Sequence, residues 1–220
     1  MFAINFNLTL TLRRAVLAAL LAASSNAALA APSADPLHYH VEIDTSQFSG
    51  AGFLDFTFLA GNSPAPGATA TLSQFSGAFG ALDSKEGNVS GSAPGTLVFG
   101  NGGGYNDWFQ NVTLGGKFAF DIVFGGDFLN TAGNAGTTFG LGLLDQSALT
   151  YLGNPNGNLL QFDLLPRNGA LPASIAASTY ASIASISAVP EASEWMMLTG
   201  GLALIGFALR RRRSVAALNA

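Results

Sequence analysis

The sequence predicts an all-β fold: a single antiparallel β-sandwich or jelly-roll-like domain over residues 31–188. Three observations carry this. Apolar residues recur at every second position in several short runs, glycine-rich clusters separate those runs, and no long stretch has the 3.6-residue apolar period of an amphipathic helix. The first run sets Leu37, Tyr39, Val41 and Ile43 against His38, His40, Glu42 and Asp44, the pattern of a half-buried strand. The second sets Leu54, Phe56 and Phe58 against Asp55 and Thr57. A third sets Phe118, Phe120, Ile122 and Phe124 against Ala119, Asp121 and Val123. Shorter strands are expected near 68–75, 95–99, 107–114, 137–145, 158–165 and 180–187.

Turn chemistry punctuates these runs. Gly61-Asn62-Ser63-Pro64, Asn101-Gly102-Gly103-Gly104, Gly125-Gly126-Asp127 and Gly153-Asn154-Pro155-Asn156-Gly157 each read as a loop, and Gly115-Gly116 between Leu114 and Lys117 reads as a tight hairpin. The Ala/Ser-rich stretch 171–188 is compatible with either a last strand or a loose stalk.

Composition narrows the function classes. The 220 residues are 49% hydrophobic and only 10% charged, with a net charge of −4, so the chain lacks the basic footprint of a nucleic-acid binder. Seventeen phenylalanines supply enough apolar surface to exclude a disordered chain. With no cysteine there are no disulfides, thiolate metal sites or cysteine nucleophiles. Charge is also segregated. Six of the nine basic residues are Arg13, Arg14 and Arg210 to Arg213, whereas residues 31–189 hold eleven acids against Lys85, Lys117 and Arg167.

The two basic ends read as transport signals. Arg13-Arg14, the apolar run 15–23 and the small residues Ala28 and Ala30 follow the order of a secretory signal peptide, with cleavage expected after Ala30. Signal peptidase and the general secretory translocon are the partners this implies. At the other end, residues 195–209 are apolar apart from Thr199 and are followed by Arg210, Arg211, Arg212 and Arg213. Fifteen helical residues span about 22 Å, and extending the run back to Ala192 gives about 27 Å. That length also suits a core helix, but the run is apolar on every side and ends in a stop-transfer arginine block. A transmembrane helix is therefore expected, with residues 214–220 as a cytoplasmic tail.

Val189-Pro190-Glu191-Ala192, the apolar run opened by Trp195 and the block Arg210 to Arg213 together resemble the PEP-CTERM sorting signal of Gram-negative bacteria. Pro190 and Glu191 match the first two positions of the Pro-Glu-Pro motif, and Ala192 stands at the third. The resemblance implies a sorting domain over 189–213 and an exosortase-like transpeptidase as partner. It also implies an inner-membrane stage before release to the cell surface or extracellular matrix, and a link to exopolysaccharide and biofilm material. The segments 39–46, 92–97 and 105–110 resemble an uncharacterised family of such exported proteins, which implies an architecture and no reaction.

Within the domain, candidate sites are few. Tyr105, Asp107 and Trp108 follow the glycine loop 101–104, where the aromatics could stack on a sugar and Asn106 and Asp107 could ligate Ca²⁺; alternatively the aromatics enter the core. His38, His40, Glu42 and Asp44 share one strand face, which suits either a transition metal or ordinary solvation. A metal there would need a further ligand from another strand, and no metal or other cofactor is assigned. Nucleophile-elbow, phosphate-loop and zinc-protease motifs do not occur, and no catalytic residue is assigned. The sequence thus points to a non-enzymatic surface or matrix protein. A module binding a polysaccharide, and less strongly a secreted glycan-active enzyme, are the alternatives.

Overall fold

The computed structural model describes residues 37–62, 64–189, 199–203 and 205. Among them are twelve strands: β1 His38–Asp44, β2 Gly50–Ala60, β3 Thr69–Ser76, β4 Phe79–Glu86, β5 Val89–Gly91 and β6 Leu97–Gly100, then β7 Asp107–Leu114, β8 Lys117–Gly125, β9 Thr137–Asp145, β10 Leu160–Leu165, β11 Ser174–Thr179 and β12 Ala184–Ala188. They form two six-stranded sheets, ordered β12-β1-β8-β3-β6-β5 and β11-β10-β9-β2-β7-β4, and every pairing between these strands is antiparallel. Successive strands β1 to β4 alternate between the sheets, and β1, β2 and β3 pair with β8, β7 and β6, a nesting of the jelly-roll kind.

The period of two puts one apolar row from each strand between the sheets. Val41 and Ile43 from β1, Phe56 and Phe58 from β2, and Phe118 and Phe120 from β8 lose essentially all contact with solvent. Aromatic rings then bridge the two layers. Phe139 of β9 lies 6.1 Å from Phe99 of β6 and 6.2 Å from Phe124 of β8, ring centre to ring centre. Phe56 of β2 meets Phe120 of β8 at 5.7 Å, edge to face.

Polar side chains inside this core are bracketing devices. Asn106 is fully buried; its Nδ2 donates to Phe58 O (2.9 Å) and its Oδ1 accepts from Asn88 N (2.7 Å). Gln110 Nε2 donates to Gly80 O (2.8 Å) and Ala81 O (3.1 Å), where the β4–β7 register is interrupted. The Thr45 hydroxyl donates to Gly116 O (2.7 Å) and accepts from Gly115 N (3.1 Å), sealing the β7–β8 hairpin. Gly115, at φ +106°, takes the first central position of that two-residue turn, where a side chain would be strained.

The stretch 171–188 folds as β11 and β12, at the edges of opposite sheets, so the stalk alternative falls. Two strands are not marked by periodicity: β4, because almost all of Phe79–Glu86 is exposed and no apolar alternation survives, and β5, whose three residues are too few to show one. The terminal expectations fall mostly outside the described residues: the Ala28–Ala30 junction, Pro190-Glu191-Ala192 and Arg210 to Arg213 all do. Of the expected membrane span, residues 199–203 and 205 are described and helical. No helix among the described residues is long and apolar enough to cross a membrane.

Replacing Phe139 by Ala opens a cavity where the rings of both sheets meet. It should cost about 3–5 kcal/mol in urea-induced unfolding, whereas Asp83→Ala on exposed β4 should stay within about 0.5 kcal/mol of the parent.

Candidate functional site

The outer face of the second sheet gathers chemistry that the alternation pattern forces outward. With Leu54, Phe56 and Phe58 turned into the core, β2 presents Phe53, Asp55 and Thr57 on its other side. β7 likewise presents Asp107 and Phe109. Register sets Thr57 opposite Asp107 and Asp55 opposite Phe109, so the two aspartates are diagonal neighbours on one face. Phe53 and Phe109 stack beside them at 4.5 Å with planes 14° apart.

On the far side of β2, Asp55 faces Gly142 and Thr57 faces Gly140 of β9. With no side chains of their own, these glycines are covered by neighbours, Gly140 by the Asn158 amide and Gly142 by the Tyr151 ring. A Cβ at Gly142 would stand 3.2 Å from the Tyr151 ring and 3.5 Å from Asp55 Cβ. The chain brings Tyr151 back along β9 through a turn in which Asp145 Oδ1 accepts from Ser147 N (3.1 Å) and the Ser147 hydroxyl (2.7 Å). Leu152 N then bonds Leu143 O at 2.8 Å, and Tyr151 bridges Leu144. Tyr105 arrives from the glycine loop, held on one side by the Ala60 N–Gly104 O bond (2.9 Å) and on the other by Asn106. Both phenols reach solvent, Tyr105 being 49% and Tyr151 38% exposed.

Electrostatics ties these groups together. Burial pushes Asp107 up to about 7, helped by its hydrogen bond with Asp55 and by the negative charges of Asp55 and Glu86. Burial also raises Asp55, which the bond from Asp107 partly offsets. The two carboxyls, both raised by burial and bonded to each other, therefore act as a pair that holds a proton up toward neutral pH, Asp107 being raised to about 7. Asp55 Oδ1 is buried and is bonded by no backbone amide and by no side chain other than the Asp107 carboxyl. The Tyr105 phenol is raised by burial and then by Asp107, Asp55, Glu86 and Tyr151, which places it in the same field. Positive charge is directed elsewhere: Lys85 sits 5.9 Å from the Trp108 ring centre, and Lys117 Nζ bonds Glu42 on the first sheet at 2.6 Å.

Tyr105 and Asp107 stand on this face, and Trp108 does not. Trp108 is 3% exposed, with Nε1 donating to Gln110 Oε1 at 3.0 Å, because neighbouring residues of a strand point to opposite faces. A sugar cannot stack on it. Asn106 is no calcium ligand either, since its amide is spent on Phe58 and Asn88. Asp55 and Tyr151 complete the group in their stead. The signal for Asp55 was an acid inside an otherwise apolar strand; for Tyr151 the sequence carried none.

The histidine face is organised differently from a four-residue metal site. His38 Nε2 and His40 Nδ1 both turn to Asp121, at 3.4 and 2.7 Å, while Glu42 pairs with Lys117 and Asp44 accepts from Ser46 N at 2.9 Å. Among the described residues no group of three or more His, Asp or Glu side chains is set to hold a metal ion. The Asp55–Asp107 carboxyls, in hydrogen-bond contact, are also closer than the ~5 Å or more that paired carboxylates need for glycoside cleavage.

No protein-family model, curated protein or solved structure matches this chain.

The raised Asp107 gives stability a definite pH dependence. The folded chain keeps a proton that the unfolded chain releases near pH ~4, so this contribution is full below that pH and is lost as pH rises to about 7. Thermal melts should show a falling transition temperature from pH 5 to pH 8. In Asp107→Asn, whose amide can still donate to Asp55, that slope should be shallower.

Proposed function

We propose that this chain is an exported, non-enzymatic surface or extracellular-matrix protein with a structural or interaction role, delivered by a cleaved leader and a PEP-CTERM-like tail. The observation that carries the reading is the order of parts: basic-apolar leader, strand-rich acidic domain, Val189-Pro190-Glu191-Ala192, apolar run, arginine block. One structural detail supports it. The last backbone bond of the first sheet, Val189 N to His38 O at 2.9 Å, involves the first residue of the sorting motif. On this reading the sorting motif follows the last strand of the domain directly in the chain. Partners on this reading are signal peptidase, the translocon and the exosortase-like enzyme.

Fractionation and intact-mass measurement in the native host test it, with and without the sorting enzyme. The surface or released form should lack residues 1–30 and the C-terminal arginine block, and should be missing in the enzyme-deficient strain. Full-length protein in the inner membrane of both strains would refute it.

A second reading, a carbohydrate-binding module, draws support from the two exposed tyrosines beside the Asp55–Asp107 pair. Tyr151→Ala should weaken retention on the host's own exopolysaccharide in affinity electrophoresis while leaving the melting temperature nearly unchanged.

A further inference from the structure

We infer that the outer face of the second sheet, at Asp55, Asp107, Tyr105 and Tyr151, binds an amino-sugar polymer bearing free ammonium groups. The inference rests on the carbohydrate reading and narrows it to one ligand class. Charge complementarity argues for a cation. Asp55, Asp107 and Glu86 lie together, and the neighbouring lysine, Lys85, is directed at the Trp108 ring. The other acid on this sheet face, Asp163 of β10, is occupied by the Thr138 hydroxyl at 2.8 Å and by Gln161. Asp55 Oδ1 is bonded by no backbone amide and by no side chain other than the Asp107 carboxyl, and an ammonium group supplies donors to such a pair. Exposed phenol rings attract a cation over their faces and stack on the apolar side of a pyranose. One ligand that offers both at once is an aminated sugar. A bare cation leaves the tyrosines half used, and a neutral sugar leaves the acids unbalanced.

The shared proton supplies a signature. An ammonium group beside the pair favours ionisation of both carboxyls, so Asp107 must release its proton to solvent on binding. The charged and titratable groups facing it are Asp55 on β2, Glu86 on β4, and the phenols Tyr105 and Tyr151. Of these, Asp107 is the group whose ionisation is raised into the neutral range.

Isothermal titration at pH 6.5 with glucosamine oligomers tests the proposal, run in phosphate and in a buffer of high ionisation enthalpy. The deacetylated oligomer should bind about tenfold more tightly than its fully N-acetylated counterpart. It should also release protons, seen as a buffer-dependent heat. In Asp107→Asn, checked for an intact melting transition, the proton release should vanish, and Tyr151→Ala should weaken binding with the release retained. Equal affinity for the two oligomers would overturn the ammonium assignment and leave the carbohydrate reading standing. Binding of neither would overturn both. Equally tight binding of an oligolysine of matched charge would overturn the sugar and leave only a surface for polycations.

Discussion

The structure depends on aromatic packing between two sheets that no disulfide joins. Without disulfides, the layers stay together because the rings of Phe56, Phe99, Phe120, Phe124, Phe139 and Phe162 interlock across the gap. Each buried ring contributes a few kcal/mol, and the summed burial must exceed the entropy of ordering twelve strands and their loops. The same alternation that feeds this core leaves every intervening residue outside. Polar chemistry on the outer faces is thus a by-product of how the core is made, and strand register selects which outer residues become neighbours.

That dependence explains what could be read in advance. Strands with one buried row declared themselves: β7 and β9 fall on residues 107–114 and 137–145, as alternation and flanking turns indicate. The Gly115-Gly116 hairpin was equally legible, since its geometry favours glycine. β4 was not, because an exposed edge strand has no apolar row to display, and its irregular register is propped by Gln110, which lies 30 residues from Gly80. Fold class needs only local pattern. Strand order needs contacts between residues far apart in the chain, which a single sequence does not print.

The site was half legible for the same reason. Tyr105 and Asp107 were visible as polar and aromatic residues beside a glycine loop. Trp108 looked similar but belongs to the opposite face, a distinction that one residue of strand phase decides. Asp55 joins Asp107 only through the β2–β7 register, and Tyr151 joins only because the chain doubles back along β9 over a glycine. The proton shared by two carboxyls is a property of that three-dimensional encounter. Nothing in the sequence around either aspartate announces that it will meet the other.

The open margins of the two sheets have a further consequence. β4 is interrupted twice in its register and carries Asp83, Lys85 and Glu86, while the opposite sheet ends in the three-residue β5. Neither of these two margins offers a long, flat, apolar row of free backbone groups to a neighbouring copy. A second copy approaching along β4 or β5 therefore finds little regular backbone to pair with, and neither sheet is readily extended from those two sides.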